Sequence, residues 1–98
     1  MGRWGKLDKK GAIYVLDNGL GYCRQRIIDV LNGEKPDAEA ECHSIRCELQ
    51  HLKNLLYHDA RSIVPISYLA KFERTYNANV KRLEKALKKH RIEDDWLP

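Results

Sequence analysis

Apolar residues recur at alternating spacings of three and four over two long segments of the chain, with polar residues between them. This spacing is typical of an amphipathic helix, whose apolar stripe faces a core. The stripe of segment 37–60 is Ala38, Cys42, Ile45, Leu49, Leu52 and Leu56, and that of segment 67–91 is Leu69, Phe72, Tyr76, Val80, Leu83 and Leu87. Each segment therefore predicts one long helix.

Glycine and proline mark two breaks in this pattern. Gly33 can take the left-handed conformation that ends a helix, and Asp37 can cap the next one. Pro65 interrupts the chain again, because it disfavours a helical conformation at the residue before it, and Ser67 can cap the last helix. Two long helices with a short connection predict an antiparallel helical hairpin over 37–91.

The first third of the chain allows two interpretations. Ile13, Leu16, Leu20, Cys23, Ile27 and Val30 follow a heptad, which predicts one helix over 12–32. Gly19 and Gly21 would each cost that helix about 1 kcal/mol relative to alanine. The alternative is a short β-hairpin, with a turn at 8–11 and a β-prone run over 12–16, followed by a shorter helix. We favour the helical interpretation, in which this segment packs across the hairpin.

The composition indicates one domain. The 98 residues are 43% hydrophobic and 33% charged, which suits a single core with a solvated surface. We predict a mainly helical bundle over 1–98, with an N-terminal segment 1–35, the hairpin 37–91 and a short tail 92–98. Three cysteines do not make a disulfide framework, and no early apolar run is long enough for a signal sequence or a membrane span. These features predict a cytoplasmic protein.

Positive charge is concentrated in the last predicted helix. The chain has a net charge of +4, and segment 67–91 holds eight basic and two acidic residues. The candidate nucleic-acid-binding residues are Lys71, Arg74, Lys81, Arg82, Lys85, Lys88 and Lys89. A row of such side chains along a rigid helix can contact successive phosphates and release counterions. The alternative is a solvated face that keeps the protein in solution.

A second polar stripe lies on the helix predicted over 37–60. His43, Cys47 and His51 are four residues apart, and imidazole and thiolate are ligands that suit zinc. Neither a CxxC pair nor an HExxH motif accompanies them, so the alternative is a polar outer face. A zinc site is thus a lesser hypothesis, and no other cofactor is expected.

No catalytic motif is present, and no stretch resembles a known family, so we do not expect an enzyme. Heptad stripes are typical of helical oligomers, and exposed aromatic residues can anchor a partner. We predict that the chain binds a protein partner stoichiometrically and acts as a regulator or inhibitor, as accessory proteins of phages and mobile elements do. We also predict that it forms a homo-oligomer. Trp4, Tyr57 and Trp96 are the candidate anchors. Nucleic-acid binding is the alternative, and no membrane partner is expected.

Overall fold

The computed structural model describes residues 8–92, except for the side chain of Asp59. It is mainly helical, and three helices pack into one bundle: α1 (Lys9–Leu31), α2 (Ala38–Asn54) and α3 (Ile66–Lys89). A π-helical turn, Leu55–Ala60, continues α2. No strand occurs within 8–92. None of the helices in this range is long and apolar enough to cross a membrane.

The first third of the chain is one helix, so the alternative of a short β-hairpin over residues 8–16 is wrong. Asp8, predicted to open a turn, is instead the N-cap of α1, and its side chain accepts a hydrogen bond from the Gly11 amide at 2.7 Å. The cost of Gly19 and Gly21 in the interior of α1 is outweighed by burial of its apolar side. The buried residues are Ala12, Leu16, Leu20, Cys23, Ile27 and Val30.

The connection between α1 and α2 is a helix stop followed at once by a helix start. Gly33 has a φ of +77°, and the Glu34 amide donates to the Asp29 carbonyl, which closes the last turn of α1. Asp37 then caps α2 by accepting from the Ala40 amide at 3.1 Å. Both predicted caps are confirmed. Ser67, in contrast, lies inside α3, whose N-cap is Pro65.

α1 is the centre of the bundle. It packs along both other helices, whereas α2 and α3 contact each other less extensively. Contacts between α1 and α3 advance together along the chain, from Asp17 with Tyr68 to Val30 with His90, so these helices run in the same direction. α2 runs opposite to α1, because Arg26 of α1 contacts Glu41 near the start of α2. The prediction that the bundle is built on the hairpin of the last two helices is not confirmed.

Candidate nucleic-acid interface

Seven basic side chains lie along one side of α3, and we call them the basic band. They are Lys71, Arg74, Lys81, Arg82, Lys85, Lys88 and Lys89; all are exposed except Arg82, which is half-buried. At 100° per residue they fall within a sector of about 120°, opposite the buried side chains of α3, and at 1.5 Å per residue they extend over about 27 Å. The sequence-predicted residues thus form one continuous surface.

The carboxylates of α3 lie outside the basic band. Glu73 and Glu84 project about 100–120° around the helix from its centre. Glu73 accepts a hydrogen bond from the Tyr57 hydroxyl at 2.7 Å, on the side of α3 that faces α2. Within residues 8–92, the one ion pair of the band joins Lys71 to Asp17 of α1 at 4.0 Å, and the two side chains are 60% and 42% exposed. An exposed pair at that distance neutralises little of the charge.

A buried asparagine fixes the band against α1. The Asn79 side chain is fully buried and donates from Nδ2 to the Leu20 carbonyl at 3.0 Å. Its Oδ1 accepts from Nη1 of Arg82 at 3.4 Å. At the end of the helix, Nζ of Lys89 donates to the Leu31 carbonyl. The rotation of α3 relative to α1 is thus set by polar contacts, which hold the basic side outward.

Side chains of α1 extend this surface. Asp17, which contacts α3, marks the side of α1 that borders the band. Lys10 and Arg24 lie seven residues before and after Asp17 and so share its side of the helix, and both are exposed. Tyr14, exposed over 68% of its surface, lies about 60° further around. We call the basic band together with Lys10, Tyr14 and Arg24 the α1–α3 face.

Asn79 and Tyr14 were not singled out from the sequence. Each leaves a signal there, because Asn79 falls beside the apolar stripe of α3 and Tyr14 falls outside the apolar stripe of α1. A polar residue beside a buried stripe needs a hydrogen-bond partner, because burial of an unpaired polar group is costly. The partner of Asn79 is the Leu20 carbonyl.

The stripe of His43, Cys47 and His51 lies exposed on the outer side of α2. Residues 8–92 contain no group of three or more histidine, cysteine or acidic side chains placed to hold a metal ion. The zinc hypothesis therefore has no pre-formed site within this range. Cys23 and Cys42 are buried, and burial, reinforced by Glu48, raises the pKa of the Cys23 thiol to about 12.

Of the candidate partner anchors, Trp4 and Trp96 lie outside the described residues. Tyr57 lies within them, but its ring is half-buried beneath the guanidinium of Arg61, 5.7 Å from the ring centroid. Its hydroxyl donates to Glu73, and this hydrogen bond raises the pKa of Tyr57. Tyr57 thus helps to join the end of α2 to α3.

A groove lies between α2 and α3, which contact each other less extensively than either contacts α1. It has a volume of about 200 Å³. Its apolar lining consists of Leu49, Tyr76, Val80 and Leu83, and its polar lining of Arg46, Lys53, Asn77 and Glu84. The basic residues of the rim belong to α2, and the acidic residue belongs to α3. This groove is a surface of the described bundle that is distinct from the basic band.

Comparison with known proteins adds no relative to this picture. No protein-family model matches the chain, and no curated protein or solved structure is similar to it.

Proposed function

We propose that this protein is a non-catalytic, stoichiometric binding protein whose ligand is nucleic acid, held by its phosphates on the α1–α3 face. The observation that carries the proposal is the separation of charge on α3, where seven basic side chains share one outward side and both carboxylates lie elsewhere. A solvated surface needs no such separation, because mixed signs keep a protein soluble equally well. A polyanion favours it, since a nearby carboxylate repels its phosphates. The carboxylate at the border with α1, that of Asp17, accepts from the Tyr68 hydroxyl and pairs with Lys71.

The length of the basic band suits a phosphate backbone. Its span of about 27 Å is about four-fifths of one turn of duplex DNA and covers several phosphates of a single strand. The helix that carries the band is also held in place, because Asn79 and Lys89 attach α3 to carbonyl groups of α1. Binding therefore does not have to order the backbone that carries these cations, which lowers its entropic cost.

The test is charge reversal within the band. In the variant Arg74→Glu, Lys81→Glu, Lys85→Glu, all three altered side chains are exposed, so the fold is expected to hold. Fluorescence anisotropy with a labelled random-sequence DNA should show at least a tenfold loss of affinity. The salt dependence should also weaken, by about 0.7–0.9 in the logarithmic slope for each phosphate contact removed.

A matched control separates the band from net charge. The variant Lys9→Glu, Lys53→Glu, Arg61→Glu makes the same charge change at exposed positions outside the band. It should bind within about threefold of the unaltered protein, a difference below one kcal/mol. Equal losses in the two variants, or a reversal in the band without effect, would contradict the proposal.

Self-association through the groove between α2 and α3 is a second candidate function. The groove has an apolar floor, and its rim is basic on α2 and acidic on α3. In a dimer with a two-fold axis along the groove, α2 of one copy faces α3 of the other, so opposite charges meet. Two such pairs make a four-helix arrangement. This surface gives the predicted homo-oligomer a specific interface.

Light scattering after size-exclusion chromatography tests this candidate. We expect a dimer mass for the unaltered protein and a monomer mass for Val80→Glu, which places a charge in the groove. Ile66, 84% exposed and outside the groove, provides the control, and Ile66→Glu should remain dimeric. A monomer mass for the unaltered protein at high concentration would exclude the dimer. Binding to a separate protein partner and a cytoplasmic location remain predictions of the sequence.

A further inference from the structure

Tyr14 is a large aromatic side chain that the bundle does not use. It is 68% exposed and lies in α1, one turn after Lys10 and one turn before Asp17. Tyr14 is not part of the hydrophobic core of the described bundle, and its exposed ring offers a face on which a planar group can stack. Its surroundings decide what kind of group that is.

Tyr14 points away from the core of the bundle, on the flank of α1 that is nearer to α3 than to α2. Asp17 reaches α3 by accepting from the Tyr68 hydroxyl at 2.8 Å and pairing with Lys71. Tyr14 is about 60° around the helix from Asp17, and one turn after Lys10. The aromatic ring therefore stands at the edge of a surface whose ligand, on the function proposed above, is nucleic acid.

Tyr22 is a natural comparison, because it is exposed to almost the same extent, 62%, on the same helix. It lies about 140° around α1 from Asp17, on the flank toward α2. The guanidinium of Arg26 lies 5.3 Å from its ring centroid, and Arg26 is itself bonded to Glu41 at 2.8 Å. Tyr22 is thus similar in chemistry and exposure but away from the basic band.

We infer that the α1–α3 face binds single-stranded nucleic acid, with a base stacked on the ring of Tyr14 and the adjoining phosphates on the basic band. The inference rests on the proposed function and narrows its ligand. A basic surface bordered by an exposed aromatic ring is the arrangement that single-strand-binding proteins use, because every base has a π-face that stacks without regard to sequence. A duplex hides those faces between its base pairs and gains nothing from Tyr14 beyond its phosphate contacts.

The experiment compares two probes by fluorescence anisotropy. One is a labelled oligothymidine of about 16 nucleotides, which is near the upper site size of a single-strand-binding domain, and the other is the same strand paired with oligoadenosine. The unaltered protein should bind the single strand more tightly. Tyr14→Ala should weaken that binding by about 5- to 150-fold, the effect of losing one stacked base. It should leave duplex affinity within about threefold. Alanine is a stronger helix former than tyrosine, so α1 is retained.

Two further variants complete the test. Tyr14→Phe keeps the ring and should restore single-strand affinity, and Tyr22→Ala should bind like the unaltered protein. The inference is overturned if Tyr14→Ala binds the single strand normally, or if the unaltered protein binds the duplex as tightly as the single strand. The proposed function stands in either case, provided that charge reversal in the band still weakens binding at least tenfold. If neither probe binds the unaltered protein, both are overturned.

Discussion

Replacing Gly19 or Gly21 of α1 by alanine should change stability in opposite directions, because only Gly19 faces another helix. A Cβ built on Gly19 would lie 2.5 Å from Cδ2 and 2.9 Å from Cδ1 of the buried Leu52, whereas a Cβ on Gly21 would meet nothing within 4 Å. Gly21→Ala should therefore stabilise the protein by about 0.5–1 kcal/mol, the ordinary gain of removing glycine from a helix. Gly19→Ala should destabilise it, because overpacking a core costs about 1–3 kcal/mol.

Urea denaturation followed by circular dichroism measures both changes as shifts of the midpoint. The two variants add the same methyl group two residues apart in one helix, so each is the control for the other. If Gly19→Ala raised the midpoint as much as Gly21→Ala does, the close approach of α1 and α2 at Leu52 would be contradicted. The sequence treats both glycines alike, since helix propensity does not depend on what lies opposite.

Asn79 shows the same limit of prediction for a single residue. Its place beside the apolar stripe of α3 is evident from the sequence, but burial of an amide is costly unless it is hydrogen-bonded. The acceptor is the backbone carbonyl of Leu20, 59 residues earlier in the chain. Because a carbonyl is present at every residue, no sequence pattern can single out this one. The contact becomes evident only when the relative positions of α1 and α3 are known.

Elements were more predictable than residues, because caps and breaks act locally. Gly33 and Asp37 determine where α1 ends and α2 begins, and Pro65 stands at the start of α3. The π-helical turn Leu55–Ala60 was not predicted, since its residues fit an ordinary helix equally well. The sequence at 8–11 suggested a β-turn for a physical reason. An aspartate whose side chain accepts a hydrogen bond from the amide three residues further on can begin either a β-turn or a helix.

The buried side of α3 was predicted only in part. Phe72, Leu83 and Leu87 of the predicted stripe are buried, but Leu69, Tyr76 and Val80 are half-buried. The residues buried instead are Tyr68, Asn79 and Ala86. They face α1, as the hydrogen bonds of Tyr68 and Asn79 to that helix show. A heptad pattern gives only the average direction of the apolar side of a helix. Because α3 packs more extensively on α1 than on α2, its buried residues lie on the side that faces α1. The basic band was predicted more fully, because exposure depends on being far from every apolar stripe rather than near a particular one.

At the scale of the whole molecule, the helix that makes the most extensive contacts is α1, whereas the sequence suggested that the bundle is built on α2 and α3. α2 and α3 have the clearest patterns, yet each packs more extensively on α1 than on the other. Pattern strength reflects the amphipathicity of one helix, whereas the contribution to the core depends on how many neighbours that helix has. α1 has two neighbours, so its stripe is covered on both sides. Of its six predicted stripe residues, Leu16, Leu20, Cys23, Ile27 and Val30 are almost completely buried, whereas Ile13 is half-buried beside the buried Ala12.

The fragment 36–92, which contains α2 and α3 without α1, should therefore not fold alone. Removing α1 exposes the apolar sides that it covers on both helices, and most of the stability of a helix in a protein comes from the packing of its apolar side. Circular dichroism should show a large loss of helix relative to the whole protein and no cooperative urea transition. Adding a synthetic peptide of residues 8–34 should restore both, because the core is completed in trans. A fragment that unfolds cooperatively by itself would show that the hairpin, and not α1, is the basis of the fold.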